Sequence, residues 1–159
     1  FQRSRSSGPK GTSAGSLIVR DNYVTVEWWG ARNTKSCTTC GSVDVDGATS
    51  VLLRQLMIYD TYNGVYARSG ANFALRNSMV FFADNDGYRG NSGATAAIDN
   101  CTFYANARGV NGGGGTTTVR NTIAMTNGGG DFVGVTTQSY NMSGDTSATG
   151  TSPSPTRCK

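Results

Sequence analysis

Few residues in this 159-residue chain can do acid–base or ionic chemistry. Asp60, Asp84 and Asp86, with Arg68, Arg89 and Arg108, fall in turn-like stretches that follow short apolar runs. Two carboxylates on adjacent turns of a fold can act as acid and base in glycoside cleavage, and aspartates beside an arginine suit a calcium-assisted lyase. Asp84-Asn85-Asp86-Gly87 and Asp44-Val45-Asp46-Gly47 also look like short calcium loops, but neither has the later Glu of a complete EF-hand. Ordinary turn chemistry accounts for both clusters without an ion. Asp84 and Asp86 are therefore weak calcium candidates, and no other cofactor is expected. The chain contains no His, which removes the usual general base, the common zinc ligand and the Ser-His-Asp and Cys-His devices. No complete catalytic constellation remains, so these residues point away from an enzyme.

The cysteines are the other chemical feature. Cys37-Thr38-Thr39-Cys40 has the spacing of a redox motif or half a zinc site, yet there is no second such pair and no βαβ context. A disulfide, free thiols and a metal site stay open, the disulfide being favoured. Cys158 can pair with Cys37, with Cys40 or with another chain. Cys101 sits in an apolar run, where a buried reduced thiol is the default.

The elements that must hold these residues repeat. Leu53-Arg54-Gln55-Leu56-Met57-Ile58, Leu75-Arg76-Asn77-Ser78-Met79-Val80, Ile98-Asp99-Asn100-Cys101-Thr102-Phe103 and Val119-Arg120-Asn121-Thr122-Ile123-Ala124 are versions of one phrase. From Arg54 to Arg76, Asp99 and Arg120 the steps are 22, 23 and 21 residues. Units this short cannot each bury a face alone, so they must stack as a solenoid. Short runs of Val, Ile, Phe and Tyr between Gly, Asn, Asp and Ser read as strands and tight turns. The Ile98–Phe103 phrase with its Asn-rich turn and Gly-Val, and the later stretches Val119–Ala124, Gly128–Phe132 and Tyr140–Asp145, resemble right-handed parallel β-helix proteins of the secreted or surface bacterial type. That resemblance implies an all-β, right-handed parallel β-helix over about residues 16–145, here of about five coils with a repeat of about 22 residues. It implies no particular activity, because one fold hosts many. The histidine motifs of the polygalacturonase-like and pectate-lyase-like members are missing.

Stacking the repeats gives columns. Leu53/Leu75/Ile98/Val119, Leu56/Ser78/Cys101/Thr122, Ile58/Val80/Phe103/Ala124 and Val65/Tyr88/Val110/Phe132 are expected to point inward. Gln55/Asn77/Asn100/Asn121 is expected to be a structural amide ladder, each side chain bonding to the coils above and below. Gly64/Gly87/Gly109/Gly130 marks a bend needing positive φ or close approach. Alternation sends Met57, Tyr59, Met79, Phe81, Tyr104, Ile123 and Met125 outward. Such an apolar stripe suggests a covered surface: the chain's own arm, a neighbouring subunit, or a sugar ring could cover it. An excursion over about residues 28–42 interrupts the first coil, and its Trp28 and Trp29 suit capping or an interface, with sugar stacking the alternative.

The 22 Gly, 3 Pro and 15% charged residues fit one turn-dense all-β domain. Residues 1–15 read as a flexible basic arm and 146–159 as a Ser/Thr/Pro-rich tail. The start at Phe1 is expected to reflect processing or excision, and no segment is apolar enough for a signal peptide or a membrane insertion. The net charge of +4 is spread over the coils without a nucleic-acid motif, so nonspecific attraction to an anionic polysaccharide is the most it implies. Of two glycosylation sequons, Asn100-Cys101-Thr102 is expected to face inward and Asn141-Met142-Ser143 to lie in an accessible loop. No cap is visible at either end. The function expected is an extracellular or cell-surface building block that associates with itself through open ends and the apolar face, head-to-tail filaments being one form. The alternative is a carbohydrate-binding or polysaccharide-cleaving β-helix.

Overall fold

The computed structural model describes residues 16–149. The basic arm, the last ten residues and Cys158 lie outside the described residues. The first rung of the fold is β1 (Leu17–Val19), β2 (Thr25–Glu27) and β3 (Gly30–Thr34), and the second is β4 (Val43–Asp46), β5 (Val51–Arg54) and β6 (Met57–Thr61). The third is β7 (Val65–Arg68), β8 (Asn72–Arg76) and β9 (Met79–Ala83), and the fourth is β10 (Asp86–Gly90), β11 (Thr95–Asp99) and β12 (Thr102–Tyr104). The fifth is β13 (Arg108–Asn111), β14 (Thr116–Arg120) and β15 (Ile123–Met125), and β16 (Phe132–Val133), β17 (Thr137–Ser139) and β18 (Met142–Ser143) make the last. Each rung gives one strand to each of three six-stranded sheets, here A (the first strand of every rung), B and C, and every pairing is parallel. The chain is an all-β parallel solenoid of six rungs, one more than the sequence count, because the last rung keeps the stacking without the repeated phrase.

Register follows side-chain identity. Leu53 pairs Leu75, Leu75 pairs Ile98 and Ile98 pairs Val119, while Val65, Tyr88, Val110 and Phe132 stack in sheet A. All four expected inward columns are buried, which is what fixes the register: a slip of one residue would turn each column to solvent.

The corners differ from expectation. Gln55, Asn77, Asn100 and Asn121 do form a column, but all four have positive φ, between 49° and 56°, and the three asparagines are exposed. Trp28 and Tyr140 complete the column at the first and last rungs with φ of 55°. Asparagine recurs there because it tolerates the left-handed region the corner from B to C requires, not because its amide bridges rungs. The ladder sits one residue later. After the left-handed residue, the next N–H points to a side chain of the rung above: Leu56 N donates to Ser78 Oγ at 3.1 Å, Cys101 N to Thr122 Oγ1 at 3.4 Å and Thr122 N to Asn141 Oδ1 at 3.0 Å.

The corner from C to A repeats the device. Asp60, Phe82, Ala105 and Thr126 take positive φ, and the N–H groups that follow find side-chain acceptors: Ala83 N donates to Asn106 Oδ1 and Asn106 N to Asn127 Oδ1, both at 2.9 Å. Asn127 N and Nδ2 both donate to Asp131 Oδ1. The glycine column is real for Gly64, Gly87 and Gly109, where close approach decides it. A Cβ on Gly87 would lie 2.7 Å from Gly109 O and 2.7 Å from Phe103 Cδ1. Gly130 is not its fourth member; register puts Asp131 there, below Phe132.

Two boundaries also move. Residues 30–34 are not part of an excursion but strand β3, paired with β6, so Trp28 and Trp29 form a corner and only about 35–42 departs from the coil. At the other end, residues 144–149 are no free tail. Phe132 N donates to Ser147 Oγ at 3.0 Å, Gln138 Nε2 to Ser147 O at 3.1 Å, and Thr149 N to Gln138 Oε1 at 3.3 Å. Gln138 follows Val119 in an inward column, and Ala148 packs on the core. A polar core position on the last rung is thus satisfied by an irregular segment crossing above it, which closes the end expected to be open.

Candidate functional site: three unlike outer faces

The outer face of sheet C carries the apolar stripe. Met57, Met79, Tyr104, Ile123 and Met125 are exposed, while Tyr59 and Phe81 are half-buried. Tyr59 and Phe81 stack with centroids 5.3 Å apart and planes 7° from parallel, and Phe82 meets Phe81 and Tyr104 edge to face at 5.4 and 6.2 Å. Phe82 takes a corner with φ of 57°, so the repeat pattern alone did not single it out; two adjacent Phe were the available signal. Met79, Phe81, Thr102, Tyr104, Ile123 and Met125 line a shallow groove of about 330 Å³. Trp28 lies away from this groove, 76% exposed on the first rung, while Trp29 packs against the core. The first-rung inward residues Leu17, Val24 and Val26 are half-buried.

The rim of sheet C gathers Lys35, Asp60 and Asp84. Lys35 Nζ is 2.7 Å from Asp60 Oδ1 and 3.0 Å from Asp84 Oδ1, and these two hydrogen-bonded carboxylates push its ammonium pKa upward. Asp84 and Asp86, the calcium candidates, do not share a site, since the Asp86 carboxylate turns to sheet A.

On the outer face of sheet A, charge is concentrated and partly buried. Asp86 is 0% exposed. Arg108 grips it through Nε–Oδ1 at 2.5 Å and Nη2–Oδ2 at 3.1 Å, and Asn111 Nδ2 donates to both oxygens at 3.3 and 3.2 Å. Asp44 is also 0% exposed. Arg68 Nη2 lies 3.0 Å from its Oδ2, yet neither Asp44 oxygen has an aligned hydrogen bond. Burial therefore pushes the Asp44 carboxyl pKa up, with the Arg68 charge opposing. The guanidiniums of Arg68 and Arg89 lie 5.7 and 5.4 Å from the Tyr66 ring centre.

Sheet B presents an ionic ladder. Arg54 Nε donates to Glu27 at 2.7 Å, and Asp99 accepts Arg120 Nε at 2.9 Å with Arg76 Nε 3.5 Å away. Arg54, Arg76 and Arg120 are exposed, so each pair contributes about 0–1 kcal/mol, although Asp99 itself is buried.

Cys37 and Cys40 are joined as a disulfide in the loop after β3. Cys101 is buried and free, and burial raises its thiol pKa to about 12. The two sequons exchange their expected roles: Asn100 is exposed on a corner, whereas Asn141 is buried, its Nδ2 donating to Val119 O at 2.9 Å.

These features define the chain as a three-sheet parallel β-solenoid with one apolar, one ionic and one mixed charged face. No family model matches the chain, no curated protein matches it, and no solved structure matches it.

Proposed function

We propose that the protein is a rigid extracellular or cell-surface building block that associates side by side with a second copy through the apolar outer face of sheet C. The observation that carries this reading is the aromatic ladder. Tyr59 and Phe81 turn their ring faces to each other, so the surface they offer outward is ring edge and methionine, which suits dispersion contacts with another apolar face. A sugar ring stacks on an aromatic face, and the Tyr59–Phe81 stack turns two such faces onto each other. From the second rung onward, the columns Met57/Met79/Thr102/Ile123/Met142 and Tyr59/Phe81/Tyr104/Met125 contain no formal charge.

The charge at the ends of the stripe favours an antiparallel pair. Arg32 begins the Tyr59 column on the first rung, and a parallel pair would set it against its own copy. An antiparallel pair sets Arg32 near the sixth rung of the other copy, where Asp145 is negative, and faces aromatic rows with aromatic and methionine rows. The stripe is about 24 Å long at ~4.8 Å per rung and two residues wide, less than the ~800 Å² per partner of a standard stable interface. Association is therefore weak and reversible. The Cys37–Cys40 disulfide supports an oxidising, secreted location.

Polysaccharide cleavage, the alternative, has little behind it in the exposed carboxylates: Asp60 and Asp84 share Lys35. Sedimentation equilibrium on wild type and on a Tyr59→Ser, Phe81→Ser, Tyr104→Ser triple variant tests the proposal. A concentration-dependent dimer in wild type, at least tenfold weaker in the variant, is expected. A wild-type monomer at ~1 mM, or a dimer untouched by the variant, would refute it.

A further inference from the structure

We propose that the outer face of sheet A carries an oxyanion site centred on Arg89, which takes a carboxylate or sulfate group of an acidic polysaccharide. Four arginines reach this face, and three are committed. Arg108 forks onto Asp86, Arg20 Nε is 3.2 Å from Asp46 Oδ2, and Arg68 bridges Asp44 and Asp46 at 3.0 and 3.6 Å. Arg89 comes no nearer a carboxylate than 4.0 Å, to Asp86 Oδ2. That oxygen already accepts from Arg108 and Asn111, so Asp86 cannot give Arg89 the forked partner a guanidinium prefers.

The surroundings converge on the same place. The Arg89 guanidinium rests against the Tyr66 ring, with Arg68 against it as well, which fixes its orientation. Tyr66 is 8% exposed, and its hydroxyl accepts from Asn91 Nδ2 at 2.9 Å, leaving its own proton to donate. Arg68 Nε is buried and makes no hydrogen bond, with Asp46 Oδ1 3.6 Å away. A buried donor without a partner is costly, and an oxyanion drawn onto Arg89 and Tyr66 brings acceptor oxygens to this donor-rich patch. One uncommitted arginine is too little for nucleic acid, whose binding rests on several phosphate contacts, but it suits a single acidic group on a chain laid along the face.

Affinity electrophoresis in gels containing polygalacturonate, its neutral methyl ester or dextran sulfate, which carries sulfate and no carboxylate, tests this. Wild type should be retarded by at least one acidic polymer and not by the ester, and the polymer that retards it identifies carboxylate or sulfate. Arg89→Ala should weaken retention about tenfold or more, as loss of a charge-assisted forked contact predicts. Arg89→Lys, which keeps the charge and loses the fork, should also weaken it. Arg120→Ala removes the same charge from sheet B and should bind as wild type does. Equal retention of the Arg89→Ala and Arg120→Ala variants, equal retardation by the ester, or no retardation by either acidic polymer would overturn the proposal.

Discussion

Asn106 holds the corner from sheet C to sheet A more firmly than any exposed asparagine holds the corner from B to C. Its Oδ1 is the acceptor for Ala83 N at 2.9 Å, and its Nδ2 donates to Val80 O at 3.2 Å and Asn127 Oδ1 at 3.0 Å. Replacing Asn106 with Ala orphans a buried N–H, at about 1–3 kcal/mol, and loses two further bonds at about 1 kcal/mol each. The total is about 3–5 kcal/mol. With an urea m-value of about 1–3 kcal/mol/M, the unfolding midpoint followed by far-ultraviolet circular dichroism should fall by at least ~1 M. Asn100→Ala removes only an exposed residue suited to positive φ and should cost about 1 kcal/mol. Equal losses in the two variants, or a larger one for Asn100→Ala, would refute the account of the corners.

Asn106→Asp sharpens the test through pH. The carboxylate still accepts from Ala83 N but sets a second oxygen against Val80 O and Asn127 Oδ1. Burial and these acceptors raise its folded-state pKa above the unfolded value of ~3.9. The native state then binds the proton more tightly, so relative to wild type the variant should gain stability as pH falls through its folded pKa and lose it as pH rises. A variant that instead loses stability on acidification would show that position 106 is solvated.

Two further outcomes follow from burial. Gly87→Ala should destabilise by at least ~3 kcal/mol, since its Cβ meets Gly109 O and Phe103 Cδ1 at 2.7 Å; Gly70→Ala, at φ of 75° with nothing within 4 Å, should cost only about 1–2 kcal/mol in urea melts. Cys101, with its thiol pKa raised to about 12, should resist iodoacetamide at pH 8 in the native protein and alkylate at once in urea, as mass spectrometry would show; rapid native labelling would mean the fourth rung opens.

The repeat made the architecture legible because identical core demands recur at each rung: Leu53, Leu75, Ile98 and Val119 announce both the strand and its neighbours. The causes of the corners were not legible. A recurring amide is compatible with a bridging side chain or with a left-handed backbone, and only φ separates them. The polar members of the inward column, Ser78 and Thr122, were the signal for the real ladder, since a hydroxyl in an apolar column needs a reason. Asn106 and Asn127 lie three residues beyond the repeated phrase, and an Asn-rich turn alone does not distinguish a buried amide from a solvated one. The charged face of sheet A was visible only as scattered Asp and Arg, because its grouping depends on rungs 22 and 25 residues apart meeting side by side.

Under the proposed self-association, the closed end decides the direction in which copies can add. A parallel solenoid presents unpaired strand edges at its two ends, and stacking another copy on the sixth rung would have to displace residues 144–149. That segment makes bonds from Phe132 N to Ser147, Gln138 Nε2 to Ser147, Thr149 N to Gln138, Asp131 N to Asp145 and Ala148 N to Ser143. At about 1 kcal/mol net for each, an incoming rung must first offset about 5 kcal/mol. It must also accept Gln138 in the core column. Lateral contact through sheet C meets no such cost, because the Met57 and Tyr59 columns already face solvent without polar partners to lose. Side-by-side pairing is therefore the association that this arrangement of cap and faces favours over axial growth from the C-terminal end.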